Sequence, residues 1–91
     1  MSGDTLKCPR CKGIYLHHGV VSVFHREIED RDTTAIVIDG WTARVVVSSP
    51  DNPSERRDGV SIAFTCEDCL FTGNLRIIQH KGVTLVNWSD D

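Results

Sequence analysis

Two short cysteine pairs constrain this chain more than any other feature: Cys8-Pro9-Arg10-Cys11 near the start and Cys66-Glu67-Asp68-Cys69 well beyond the middle. All four cysteines of the chain lie in these pairs. With two residues between its sulfurs, a single tight turn can aim both at a common point. Two such turns supply the four thiolates of a tetrahedral Zn²⁺ site. One pair alone would fit a redox motif or chance equally well; two pairs with no cysteine left over point to a metal. Cys8, Cys11, Cys66 and Cys69 are therefore the expected ligands of one structural zinc. Iron, disulfides or a redox dithiol are the competing readings of the same sulfurs. Four sulfur ligands leave no coordination position for water or substrate, and a catalytic zinc needs one. The expectation is a binding protein and not an enzyme, with no catalytic residues and no small-molecule substrate.

Chain length makes a staple useful. Ninety-one residues form one domain, 1–91, and a domain this small buries a modest share of its surface. Binding energy at a structural zinc site appears as folding energy, so the metal can supply what the core lacks. No apolar run reaches the length of a membrane span. The opening residues show no secretory pattern, which predicts a cytoplasmic protein whose cysteines stay reduced. The formal net charge is −3, falling to about −5 once four thiolates hold one Zn²⁺. That balance argues against non-specific binding to polyanions, although local basic patches remain.

Between and beyond the pairs the chain reads as β-structure. Segments 14–19 and 20–27 are rich in β-branched and aromatic residues, with Val20 and Phe24 blurring the alternation. The charged run 27–32 reads as a strand end and loop. Residues 33–38 and 41–47 flank Asp39-Gly40, a hairpin dipeptide. Val60, Ile62 and Phe64 alternate with smaller or polar neighbours and lead directly into Cys66. Segments 75–79 and 83–88 flank His80-Lys81-Gly82 as a further hairpin. Residues 48–59, nearly without apolar side chains and with two prolines, predict a long surface loop, and 89–91 a polar tail. The expected fold is all-β, an antiparallel sheet of about five to six strands with little helix.

In the first turn, Pro9 presets one backbone angle and Gly13 is expected to take the positive φ that reverses the chain. Lys7, Lys12, His17 and His18 lie close enough in sequence to offer charge or imidazole N–H groups to the sulfurs, with Gly13 contributing backbone. The run Cys8-Pro9-Arg10-Cys11-Lys12-Gly13 resembles the knuckle of zinc ribbons and of rubredoxin, and the chain looks like the small zinc-ribbon proteins of bacteria and their phages. The resemblance covers the two knuckles and the β character around them, and implies a zinc ribbon elaborated by extra strands. The second knuckle departs from the pattern, since Leu70 and Phe71 follow Cys69, and a different exit with Phe71 in the core is expected. A treble clef needs a helix after Cys69, which Gly73 and Asn74 oppose.

For function, two classes stand side by side. The first is a protein-interaction or adaptor module, using exposed sheet edges or the arginine-bearing loop to recruit a partner or a second copy. The second is nucleic-acid binding, common among zinc ribbons, through Arg10, Arg56 and Arg57 with Lys7, Lys12 and the aromatic residues. The rubredoxin likeness adds an iron electron carrier as a third reading.

Overall fold

The structure is a computed structural model that describes residues 4–26, 33–54 and 57–90. The charged run 27–32, Arg56 and Asp91 lie outside the described residues. Six strands follow one another: β1 (Leu16–His25), β2 (Thr34–Asp39), β3 (Thr42–Val46), β4 (Gly59–Cys66), β5 (Thr72–His80) and β6 (Val83–Asp90). They form one antiparallel sheet in the order β3-β2-β1-β4-β5-β6. Among the described residues there is no helix, and so none long and apolar enough to cross a membrane. The all-β expectation holds, with strand boundaries moved by a few residues. Ser89 and Asp90 belong to β6, paired with Asn74 and Gly73, where a polar tail was expected.

The sheet is two three-stranded meanders joined side by side, β1 against β4. Both outer hairpins close with two-residue loops. Lys81 and Gly82 both have positive φ (49° and 80°), the pattern of a type I′ turn. In the other hairpin Asp39 pairs with Thr42, so Gly40 (φ 61°) and Trp41 form the loop, as in a type II′ turn. The turn therefore sits one residue later than the Asp39-Gly40 dipeptide suggested. Trp41 lies fully exposed at its tip.

The blurred alternation near residue 20 has a structural cause. Between His18 and Val21 the register of β1 against β4 shifts, placing Gly19 and Val20 opposite Ala63 alone. This β-bulge inserts one residue into β1 and inverts the parity of everything after it. What reads as two imperfect strands is one strand with a bulge.

The register assigns every side chain to a face. On one face two complete rows cross all six strands. The first runs Ala43, Ile38, Val21, Ile62, Leu75, Trp88, and the second Val45, Ile36, Val23, Val60, Ile77, Val86. On the opposite face one row is largely polar, with Arg44, Ser22, Ser61, Arg76 and Asn87. The next row there holds Phe24, Ala35 and Gly59, all buried.

What buries them is the connection from β3 to β4. It leaves an outer strand and returns beneath β2 and β1 to the middle of the sheet, as a strap laid on that face. Ser54, itself buried, donates through Oγ to the carbonyl of Gln79 (3.0 Å). Ser49 donates its N–H to the carbonyl of Thr33 (2.9 Å), and Gln79 donates to the carbonyl of Asp58 (3.2 Å). Gly59 is required where the strap crosses: a Cβ would lie 2.6 Å from Asn52 Oδ1 and 3.0 Å from Pro53 Cγ. Burying Phe24 under the strap contributes on the order of 2 kcal/mol.

Candidate metal centre

The two knuckles are built alike although their sequences differ. In the first, Cys8 donates its N–H to the carbonyl of Gly13 (2.8 Å), and Lys12 donates to the carbonyl of Cys8 (3.0 Å). In the second, Cys66 donates to the carbonyl of Phe71 (2.8 Å), and Leu70 donates to the carbonyl of Cys66 (3.2 Å). The residue after each second cysteine takes the left-handed conformation, Lys12 at φ 67° and Leu70 at φ 61°. Two expectations are thereby corrected. The positive φ falls on Lys12 and not on Gly13, and the second knuckle exits as the first does. Gly13 serves close approach instead, because a Cβ there would sit 2.6 Å from Asp68 Oδ2 and 3.2 Å from Cys11 Sγ.

The pairing of β1 with β4 brings the knuckles together. The first knuckle leads into β1, the second turns β4 into β5, and Leu16 is paired with Cys66. Glu67 donates its N–H to the carbonyl of Tyr15 (2.9 Å), and its carboxylate meets His17 Nε2 at 2.9 Å, both contacts joining the second knuckle to the start of β1. Arg10 crosses the other way, with its guanidinium 5.2 Å from the centre of the Phe71 ring. Phe71 is buried and packs edge-on against Trp88, which in turn packs against Phe64.

As a result the four sulfurs all lie within 4.8 Å of one another. Cys8 and Cys69 approach to 3.6 Å, as do Cys11 and Cys66. Sulfurs placed about 2.3 Å from one Zn²⁺ at tetrahedral corners stand roughly 3.8 Å apart. Disulfide sulfurs stand about 2.05 Å apart; the four cysteines are free. The residues therefore fit a four-coordinate metal ion. Cys8 and Cys66 are buried, Cys69 is half-buried and Cys11 is exposed, so one corner of the cluster faces solvent. Backbone N–H groups point at the sulfurs: Arg10 at Cys8 Sγ and Gly13 at Cys11 Sγ, each 3.4 Å away. Such bonds favour thiolate over thiol.

Crowding drives the thiol pKa values apart. Burial pushes the Cys8 thiol up, but backbone N–H groups of Cys11 and Arg10 and the neighbouring thiols outweigh it and bring it down to about 7. For Cys11 the Gly13 N–H pulls down, while burial and the three nearby sulfurs push harder, up to about 12. Cys69 is also raised, chiefly by burial. One negative sulfur thus discourages its neighbours from ionising, and a cation among them removes that penalty.

The expected neighbours of the sulfurs are placed as follows. Lys7 and Lys12 are exposed beside the first knuckle. His17 pairs with Glu67, and His18 lies edge-on to Phe64 at 6.4 Å, so the two imidazoles brace the second knuckle and β4 where sulfur contacts were expected. Gly13 lies at the cluster, its N–H directed at Cys11 Sγ. Arg10 is in contact with Phe71, and Arg57 is an exposed part of the strap. Glu67 was not foreseen as a site residue, and Trp88 was read as a candidate stacking face for nucleic acid and not as a neighbour of the cluster. Glu67 carried no signal beyond its position in the knuckle, and Trp88 is reached only through the sheet register.

The fold and site define a small all-β protein, one six-stranded antiparallel sheet with a four-cysteine cluster at one end positioned to hold a metal ion. Compared with known protein families, with curated proteins and with solved structures, the chain matches none.

Proposed function

We propose that the bound ion is zinc, that it serves the fold, and that the protein acts by contact, as an interaction or adaptor module in a reducing compartment. The observation that carries this reading is the division of labour within the sheet. The four-cysteine cluster closes one end with a ligand set that has no open position for chemistry, while two uncharged rows cross the sheet on a face over which, among the described residues, no layer lies. In a structural zinc site the protein's part is to hold the sulfurs in place. Here the paired knuckles, the Arg10 to Phe71 contact and the His17 to Glu67 pair do so. No residue of the cluster is assigned a catalytic role.

Nucleic-acid binding is the second reading, favoured by the exposure of Lys7, Lys12 and Tyr15 beside the first knuckle and of Trp41 at a hairpin tip. An iron electron carrier is the third, favoured by the ligand set alone. Metal analysis of protein purified from cells, followed by capture of partners with and without nuclease, separates the three. One colourless zinc per chain and nuclease-resistant partners are expected. A red, iron-loaded sample would overturn the zinc assignment, and partners lost with nuclease would move the function to nucleic acid.

A further inference from the structure

The two faces of the sheet are treated differently by the chain. The face under the strap is covered across β2, β1 and β4, where Ala35, Phe24 and Gly59 are buried, and opens towards β6 at Leu85. The other face carries the two cross-strand rows, Ala43 through Trp88 and Val45 through Val86, with neither a charged side chain nor a fully buried one among them. Val23 on the central strand β1 is 42 % exposed, Ile36 47 % and Val86 61 %. An antiparallel sheet normally exposes polar residues on its open face. A continuous apolar face of this extent marks an interaction surface.

Area limits how much this face can bury. The chain exposes 6667 Å², whereas a folded monomer of 10.2 kDa is expected to expose about 5300 Å². The radius of gyration, 14.1 Å, likewise exceeds the roughly 12.2 Å expected for this length. The surplus of about 1350 Å² per chain is shared with exposed groups elsewhere such as Trp41 and Leu70, so it is an upper bound on what this face can bury; doubled, that bound reaches the roughly 2,000–5,000 Å² found in obligate homodimers. The occupant follows from the chemistry of the rows. With no charge on either row, nothing there selects an unlike partner, and a flat aliphatic sheet is complementary to another like it, stacked about 10 Å away. Polar groups border the patch at one end, with Thr34, the His25 to Asp58 pair, Gln79 and Thr84 on the same face. The knuckles border it at the other.

We propose that this face binds a second copy of the chain, two sheets stacking about a two-fold axis near the β1–β4 seam into a β-sandwich. The proposal rests on the reading of the protein as a contact module and names the partner of its apolar face. It differs from strand addition at β3 or β6, which would leave the rows uncovered.

The test is the mass of the zinc-loaded protein in solution, by light scattering over a hundredfold dilution series. The expected value is twice the chain mass, about 20 kDa, with a thermal midpoint that rises with concentration. Val23→Glu sets two like charges near the axis and is expected to halve the mass. Ser22→Glu, one residue away on the polar face, is expected to leave it doubled. Should Val23→Glu fail to fold, a concentration-dependent midpoint in the unaltered protein still supports the dimer, and a constant one overturns it. A monomer throughout the series overturns the proposal, as does a dimer untouched by Val23→Glu. A monomer that loses its nuclease-resistant partners on Val23→Glu would keep the contact-module reading while rejecting the second copy. A monomer that binds lipid vesicles through this face would reject both.

Discussion

Lys12 and Leu70 hold a backbone conformation that costs an L-residue about 1 kcal/mol or more. Each knuckle needs it, because the N–H after the second cysteine must turn back to the carbonyl of the first. Leu70 is 76 % exposed, so its side chain offers little packing in return. Leu70→Gly is expected to stabilise the metal-loaded protein by about 1 kcal/mol, raising the thermal midpoint by roughly 4–8 °C. A lowered midpoint would mean that the leucine side chain contributes packing that outweighs the strain. Gly13→Ala is expected to act in the opposite sense. Asp68 can swing away from the added methyl, but Cys11 Sγ, 3.2 Å off, is held once it ligates a metal. The clustering of the four sulfurs was legible because cysteine spacing limits where sulfur can reach. The left-handed positions were not. Glycine is the cheapest residue for them, which drew attention to Gly13, while the actual positions carry side chains whose strain is offset by hydrogen bonds unseen in a sequence.

At the scale of elements, alternation identified the strands and failed where the chain departs from strict period two. The bulge at Gly19 and Val20 exchanged the faces of β1 midway, and no single strand could disclose that without its partner. The end of β1 shows a second device. Asp58, just before β4, accepts the Arg26 backbone N–H (2.9 Å) and meets His25 Nδ1 at 3.1 Å. Burial raises its carboxyl pKa, but the Arg26 N–H and the bond and charge of His25 outweigh it, holding the group below the usual carboxylate range. A depressed carboxylate stabilises the fold fully above its unfolded value, about pH 4, and the contribution disappears as pH falls through the lower folded value. Both side chains are largely exposed, so the effect is under about 1 kcal/mol. The stability difference between the unaltered protein and Asp58→Asn, read from denaturant midpoints, should therefore shrink between about pH 5 and pH 2. A difference constant over that range would remove the carboxylate from the account.

For the whole molecule, strand order was the least legible property, since alternation says which residues share a face and not which strands are neighbours. The pairing of β1 with β4 spans some forty residues with no local signal. The cysteine pairs bear on it all the same: with Cys8 and Cys11 before β1 and Cys66 and Cys69 at and beyond the end of β4, pairing those two strands brings both knuckles to one end of the sheet. The dependence also runs the other way. Two of the five buried hydrophobic residues described are the cluster cysteines Cys8 and Cys66, and Phe71, Leu16 and Trp88 pack around them. With so little core elsewhere, a chelator should dismantle this end of the sheet. Trp88 can report it alone once the exposed Trp41 is replaced, because the chain has two tryptophans. In Trp41→Phe, removal of the metal by a strong chelator is expected to shift Trp88 emission towards that of tryptophan in water and to weaken the β signal in circular dichroism. Adding back zinc should restore both. Emission unchanged after verified loss of the metal would show that the Phe64, Phe71 and Trp88 packing stands without it, and the cysteine cluster would then need a purpose other than holding the fold.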